Sequence, residues 1–85
     1  MKEKEIGYVS KFFGQLSVAA IEITADDLSV GDTIHIMGHT TKLKMKVGSI
    51  QIEHETVETA KKGDSIGVKV TEKARRKDRV YKLVD

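Results

Sequence analysis

Apolar and polar side chains alternate with a period of two along most of the chain, the pattern of strands with one buried face. Leu43, Met45 and Val47 share one parity and Lys42, Lys44 and Lys46 the other, which predicts a half-buried strand with three ammonium groups toward solvent. Ile66, Val68 and Val70 repeat the pattern with Gly67 and Lys69 opposite, and Ile34 and Ile36 flank His35 in the same way. Further strands are expected near Val57 and over Arg79–Val84. Helix candidates are poor: 53–62 offers only Val57 and Ala60 three apart, and 72–79 has no apolar stripe and reads as a solvated, basic connection.

The apolar parity changes twice. Leu16, Val18 and Ala20 occupy even positions and Ile21 and Ile23 odd ones, and Leu43, Met45 and Val47 give way to Ile50 and Ile52 across Gly48-Ser49. A one-residue slip inside a strand is what a β-bulge or sharp bend produces, and Gly48 supplies the backbone freedom for it. Strands that switch face in this way predict a small closed antiparallel β-barrel, all-β in class. Turn signals punctuate the strands, and one recurs: Val30-Gly31-Asp32-Thr33-Ile34 and Lys62-Gly63-Asp64-Ser65-Ile66 stand 32 positions apart. Gly31 and Gly63 can take positive φ, and Asp32 and Asp64 can accept a hydrogen bond from the backbone two residues on, so both read as hairpin entries. The expected organisation is a charged tail over residues 1–5 and one barrel domain over 6–85.

At 85 residues and 9.4 kDa the chain supports a single core. A domain of this size buries only about 63% of its unfolded surface, so almost every apolar side chain is expected inside. The absence of Cys removes disulfides, thiol nucleophiles and thiolate-bound metals and fits a reducing, cytoplasmic setting. The longest apolar run, Val18–Ile21, is far too short for a membrane span. Charge is uneven. Residues 1–40 carry 3 Lys against 6 carboxylates, a net of −3, and residues 41–85 carry 12 Lys and Arg against 7 carboxylates, a net of +5. Such asymmetry points to a polyanionic partner.

No catalytic, cofactor or metal site can be assembled from the pattern. His35, His39 and His54 match no metal-ligand spacing, and Glu53 and Glu55 share a parity without any neighbour that would raise a carboxyl pKa. Lys62-Gly63-Asp64 places a carboxylate where a nucleotide-phosphate loop needs Lys, and no dinucleotide fingerprint occurs, so nucleotide chemistry is not expected. Surface recognition remains. Lys42, Lys44, Lys46, Lys69, Lys73, Arg75, Arg76 and Arg79, gathered on one basic surface with Lys82 nearby, are the expected RNA-binding residues, with Tyr8, Phe12 and Tyr81 the exposed aromatics. The alternative is a protein-interaction or self-association module that uses an open strand edge.

Gly7-Tyr8-Val9, Val18–Ile23, Leu28–Ile36 with its Gly31-Asp32, Val47–Ile52 with Gly48, and Ala60–Val68 with Gly63-Asp64 together resemble the second domain of translation elongation factors such as elongation factor Tu, over roughly residues 6–84. That resemblance implies a closed barrel acting as a stand-alone, non-catalytic partner of tRNA, ribosomal RNA or a ribosome-associated protein. None of that family's tRNA contacts maps onto a residue here. Where the family has a Gly in its last turn, this chain has Arg76-Lys77-Asp78, which predicts a longer or differently shaped turn. Similar barrels also occur fused to peptidase-like and RNA-modification proteins, which implies an accessory or adaptor role as the other option.

Overall fold

The computed structural model describes residues 2–84 and is all-β: β1 (Lys2–Phe13), β2 (Val18–Ile23), β3 (Asp27–Ser29), β4 (Thr33–Met37), β5 (Lys42–Lys46), β6 (Ile50–Ile52), β7 (Glu55–Val57), β8 (Thr59–Lys61), β9 (Ser65–Lys69) and β10 (Arg79–Val84). Eight strands form one sheet in the order β5-β4-β10-β1-β2-β9-β6-β7, and β3 and β8 form a separate ribbon. Every pairing is antiparallel. Residues 2–5 are the first part of β1 and pair with β10. No helix among the described residues is long and apolar enough to cross a membrane.

The closed barrel is not formed, because β5 and β7 end the ladder without pairing with each other. The chain between them takes another route. After β7 it enters β8, which pairs with β3; the turn after β3 is bonded back to the end of β5 by Gly31 N–H to the Val47 carbonyl at 2.9 Å and Val47 N–H to the Asp32 carbonyl at 2.8 Å. The ribbon thus bridges two sheet edges that no continuous ladder joins.

Alternation inside β2 is regular, with Ala19, Ile21 and Ile23 buried and Val18 and Ala20 on the outer face. The expected slip there does not occur. Gly48-Ser49 lies in the irregular connection between β5 and β6 and not in a bulge within a strand. The real register shifts lie in β1, between Glu5 and Gly7 against β10 and between Val9 and Lys11 against β2. They let Ile6 and Val9, three apart, both reach the core. Ile21, Ile34, Ile36, Leu43, Ile50, Val68 and Val80 fill the interior with them.

The echo of Gly31-Asp32 in Gly63-Asp64 extends to whole elements. β3 and β8, and β4 and β9, are each displaced by 32 positions, and Leu28 pairs with Ala60, its own counterpart. The two turns do not open hairpins; each hands the chain from the ribbon to the main sheet. Their geometry recurs a third time. Asp32, Asp64 and Asp78 each donate N–H to the carbonyl three residues back and accept that residue's N–H on Oδ2 at 2.8 Å. The residue before each Asp has positive φ: Gly31 99°, Gly63 96° and Lys77 77°. This is a type II turn closed by its aspartate. The last turn is therefore no longer than the others, despite lacking Gly.

Candidate functional site

The expectation that nearly all apolar side chains are internal fails at Tyr8, Phe13, Leu16 and Val30, and two of these stand together. Leu16 is 64% exposed and Phe13 39%, and both stand at the β1–β2 hairpin. Residues 14–17 turn through Leu16 N–H to the Phe13 carbonyl at 3.1 Å, and Ser17 takes φ 54°, which projects Leu16 outward. Phe13, opposite Val18, carries the Lys11 ammonium 5.1 Å from its ring centre. Beside them, Ala20 pairs with Gly67, so the outer face of β2 and β9 is floored by residues with almost no side chain, and Gln51 of β6 follows Gly67 across the sheet. The result is a groove of about 420 Å³ with Phe13, Leu16 and Val18 at one side and Gln51, Glu53 and His54 at the other. Leu16, Val18 and Ala20, the even-parity set, face this groove and not the core.

The far wall is strained. Glu53 and His54 have φ 49° and 69° at the centre of the two-residue β6–β7 connection. Two consecutive positive-φ residues are what a type I′ hairpin turn requires, and Asn-Gly is the preferred pair. Residues with larger side chains occupy both positions, each at a backbone cost.

The predicted basic surface is divided. Lys42, Lys44 and Lys46 are exposed on β5, an edge of the sheet. Lys69 lies on β9 opposite Val18, with four strands between it and β5 in the sheet order. Lys73, Arg75 and Arg76 are exposed on the loop between β9 and β10. Arg79 pairs with Glu5 at 3.6 Å. Lys82 is buried: its ammonium donates to the Asp27 carbonyl at 2.7 Å and meets the Asp27 and Asp26 carboxylates at 3.2 and 3.6 Å. The Asp27 amide and the Lys4 ammonium, at 2.9 and 3.3 Å, hold the Asp26 carboxyl below the usual aspartate range, and Lys82 adds to the effect. Tyr8 is exposed and Phe12 and Tyr81 half-buried, so the sequence missed Phe13. His35 bonds Glu3 at 2.9 Å, and among the described residues no three His, Asp or Glu side chains converge as a metal site.

No protein-family model matches the chain. Over 80 residues, 93% of its length, it is 50% identical to an uncharacterized protease of Methanocaldococcus jannaschii, of which it spans 19%. Over 79 residues, 92% of its length, it is 42% identical to a collagenase of Porphyromonas gingivalis, of which it spans 22%. The chain therefore covers about a fifth of these relatives. Among solved structures, the C-terminal domain of a Geobacillus thermoleovorans protein assigned as a U32 peptidase superposes with a TM-score of 0.87 at 14% identity, over 95% of this chain and 93% of that one. At that identity the match establishes the fold alone. These relatives overturn the elongation-factor resemblance and, with it, the expected non-enzymatic role and the RNA or ribosomal partner. The residues that carried the resemblance are mostly turn residues such as Gly31-Asp32 and Gly63-Asp64, which report a backbone shape and not a binding partner. The fold is that of the C-terminal domain of a U32-type peptidase, and the chain's sequence relatives are named protease and collagenase.

Proposed function

We propose that this chain is the β domain of a peptidase of the U32 kind, and that it holds an extended stretch of substrate polypeptide in the groove between Leu16 and His54. The bond-cleaving chemistry then belongs to the part of the relatives that this chain does not span. The observation that carries the reading is the groove's construction: exposed Phe13 and Leu16 stand over the Ala20–Gly67 floor, a shape that admits an apolar side chain against the sheet. The names of the relatives, protease and collagenase, support polypeptide as the occupant. Strain at Glu53 and His54 agrees, since unfavourable backbone persists where a site needs it. The lack of Cys supports a reducing, cytoplasmic setting.

The test is binding of the chain to immobilised gelatin, an unfolded and mostly uncharged polypeptide. Phe13→Ser with Leu16→Glu removes two exposed side chains and spares the core. We expect retention to fall at least about tenfold, the equivalent of roughly 1.4 kcal/mol. Equal retention of the variant, with an unchanged melting temperature, would refute the groove.

A further inference from the structure

A second cleft lies on the other side of the β1–β2 hairpin. It measures about 510 Å³, and its walls are Lys11, Phe12, Lys73, Ala74, Arg75 and Arg76. The loop that supplies four of these six is firmly held. Ala74 is buried, Arg75 N–H bonds the Asp78 carboxylate at 2.8 Å, and Lys77 N–H bonds the Val9 carbonyl at 2.7 Å while Val9 N–H bonds the Asp78 carbonyl at 2.7 Å. The backbone behind Lys73, Arg75 and Arg76 is therefore positioned before any ligand arrives.

Electrostatics separates these cations from several others. Lys4, Arg79 and Lys82 have carboxylate partners in Asp26, Glu5 and Asp27. Among the described residues, no carboxylate lies within ion-pair distance of Lys11, Lys73, Arg75 or Arg76. The three loop cations stand together beside the Phe12 ring and sum to a local positive potential, while the Lys11 ammonium at the rim lies over Phe13. Adjacent guanidinium groups offer paired donors to a carboxylate, and the Phe12 face accommodates the aliphatic part of the side chain that bears it.

We infer that this cleft binds an acidic stretch of polypeptide, its aspartate and glutamate carboxylates held by Arg75, Arg76 and Lys73. The cleft is local: none of the β5 lysines lines it, and Arg79, which the register places across Met37 from Lys42, is engaged by Glu5. That the anion is carried by a polypeptide rests on the peptidase reading. The anion site itself does not.

The experiment is a fluorescence-anisotropy titration of the chain with a fluorescein-labelled peptide of alternating Asp and Gly, its Asn-Gly counterpart, and single-stranded oligouridylate of equal charge. We expect the Asp-Gly peptide to bind at least about tenfold more tightly than the Asn-Gly one and to weaken as salt rises. Arg75→Ala with Arg76→Ala should abolish that preference, whereas Lys42→Ala with Lys44→Ala, the same charge change, should preserve it. Equal loss in both double variants, equal affinity for the two peptides, or tighter binding of the oligouridylate would each overturn the inference. Gelatin retention, measured on the same proteins, reports the groove separately.

Discussion

The carboxylate of Asp78 rests on the Cα of Gly38, so that a β-carbon at position 38 would occupy the space of Oδ1. This contact locks the β4–β5 connection onto the turn that leads into β10. Gly38 is thus required by what lies against it. Gly38→Ala should cost about 1–3 kcal/mol through overpacking. In an Asp78→Ala background the same change should cost less than about 1 kcal/mol, because the obstruction is gone. Urea denaturation of the four proteins in this cycle measures the coupling, and strict additivity would contradict it.

Lys77 takes φ 77° in a turn whose two counterparts use Gly31 and Gly63. Lys77→Gly relieves a left-handed conformation that L side chains resist, and should stabilise the chain by about 1 kcal/mol, net of the entropy Gly gains when unfolded. In a domain of this length that corresponds to roughly 4–8 °C in Tm. Because the Lys77 side chain is exposed, peptide binding in the neighbouring cleft provides the control.

Lys82 and Asp26 tie β10 to the β2–β3 connection. Lys82→Met should lower stability by about 1–2 kcal/mol, leaving the Asp27 carbonyl without its donor. Asp26 adds a pH dependence. Its folded pKa is lowered, so its contribution is complete above the ordinary carboxylate pKa and is lost as pH falls through the lower folded value. Asp26→Asn keeps a residue that tolerates the φ of 62° and removes the charge. The Tm gap between the two proteins should be full at neutral pH and close below about pH 4; a gap independent of pH would show that the charge is not the cause.

Glu53 and His54 set stability against the groove. Glu53→Asn with His54→Gly installs the preferred type I′ pair and should raise stability by about 1 kcal/mol or more. The same change removes one wall of the groove and should weaken gelatin retention. Higher Tm with unchanged retention would dissociate the strain from the site.

Much of this architecture was legible in the pattern. The alternation of Ile34 and Ile36 around His35, of Ile66 and Val68 around Gly67, and the final strand from Arg79 to Val84 all appear where the period of two places them. The turns at Asp32 and Asp64 were legible too, although the aspartate accepts from the residue three positions before it. The third such turn was hidden because Lys77 replaces the glycine that signals positive φ. The groove was hidden for another reason: Leu16, Val18 and Ala20 are apolar, and parity cannot tell an apolar outer face from a core.

Local chemistry decides the strands and turns, since backbone alternation and the φ preference of Gly31 and Gly63 act over a few residues. What the chain could not announce is which strand ends meet. Whether β5 reaches β7, whether Lys82 is solvated or tied to Asp27, and whether Arg75 and Lys42 share a surface all depend on contacts between residues distant in sequence. Those contacts arise from the two register shifts in β1 and from the β3–β8 ribbon, and only the folded sheet sets them.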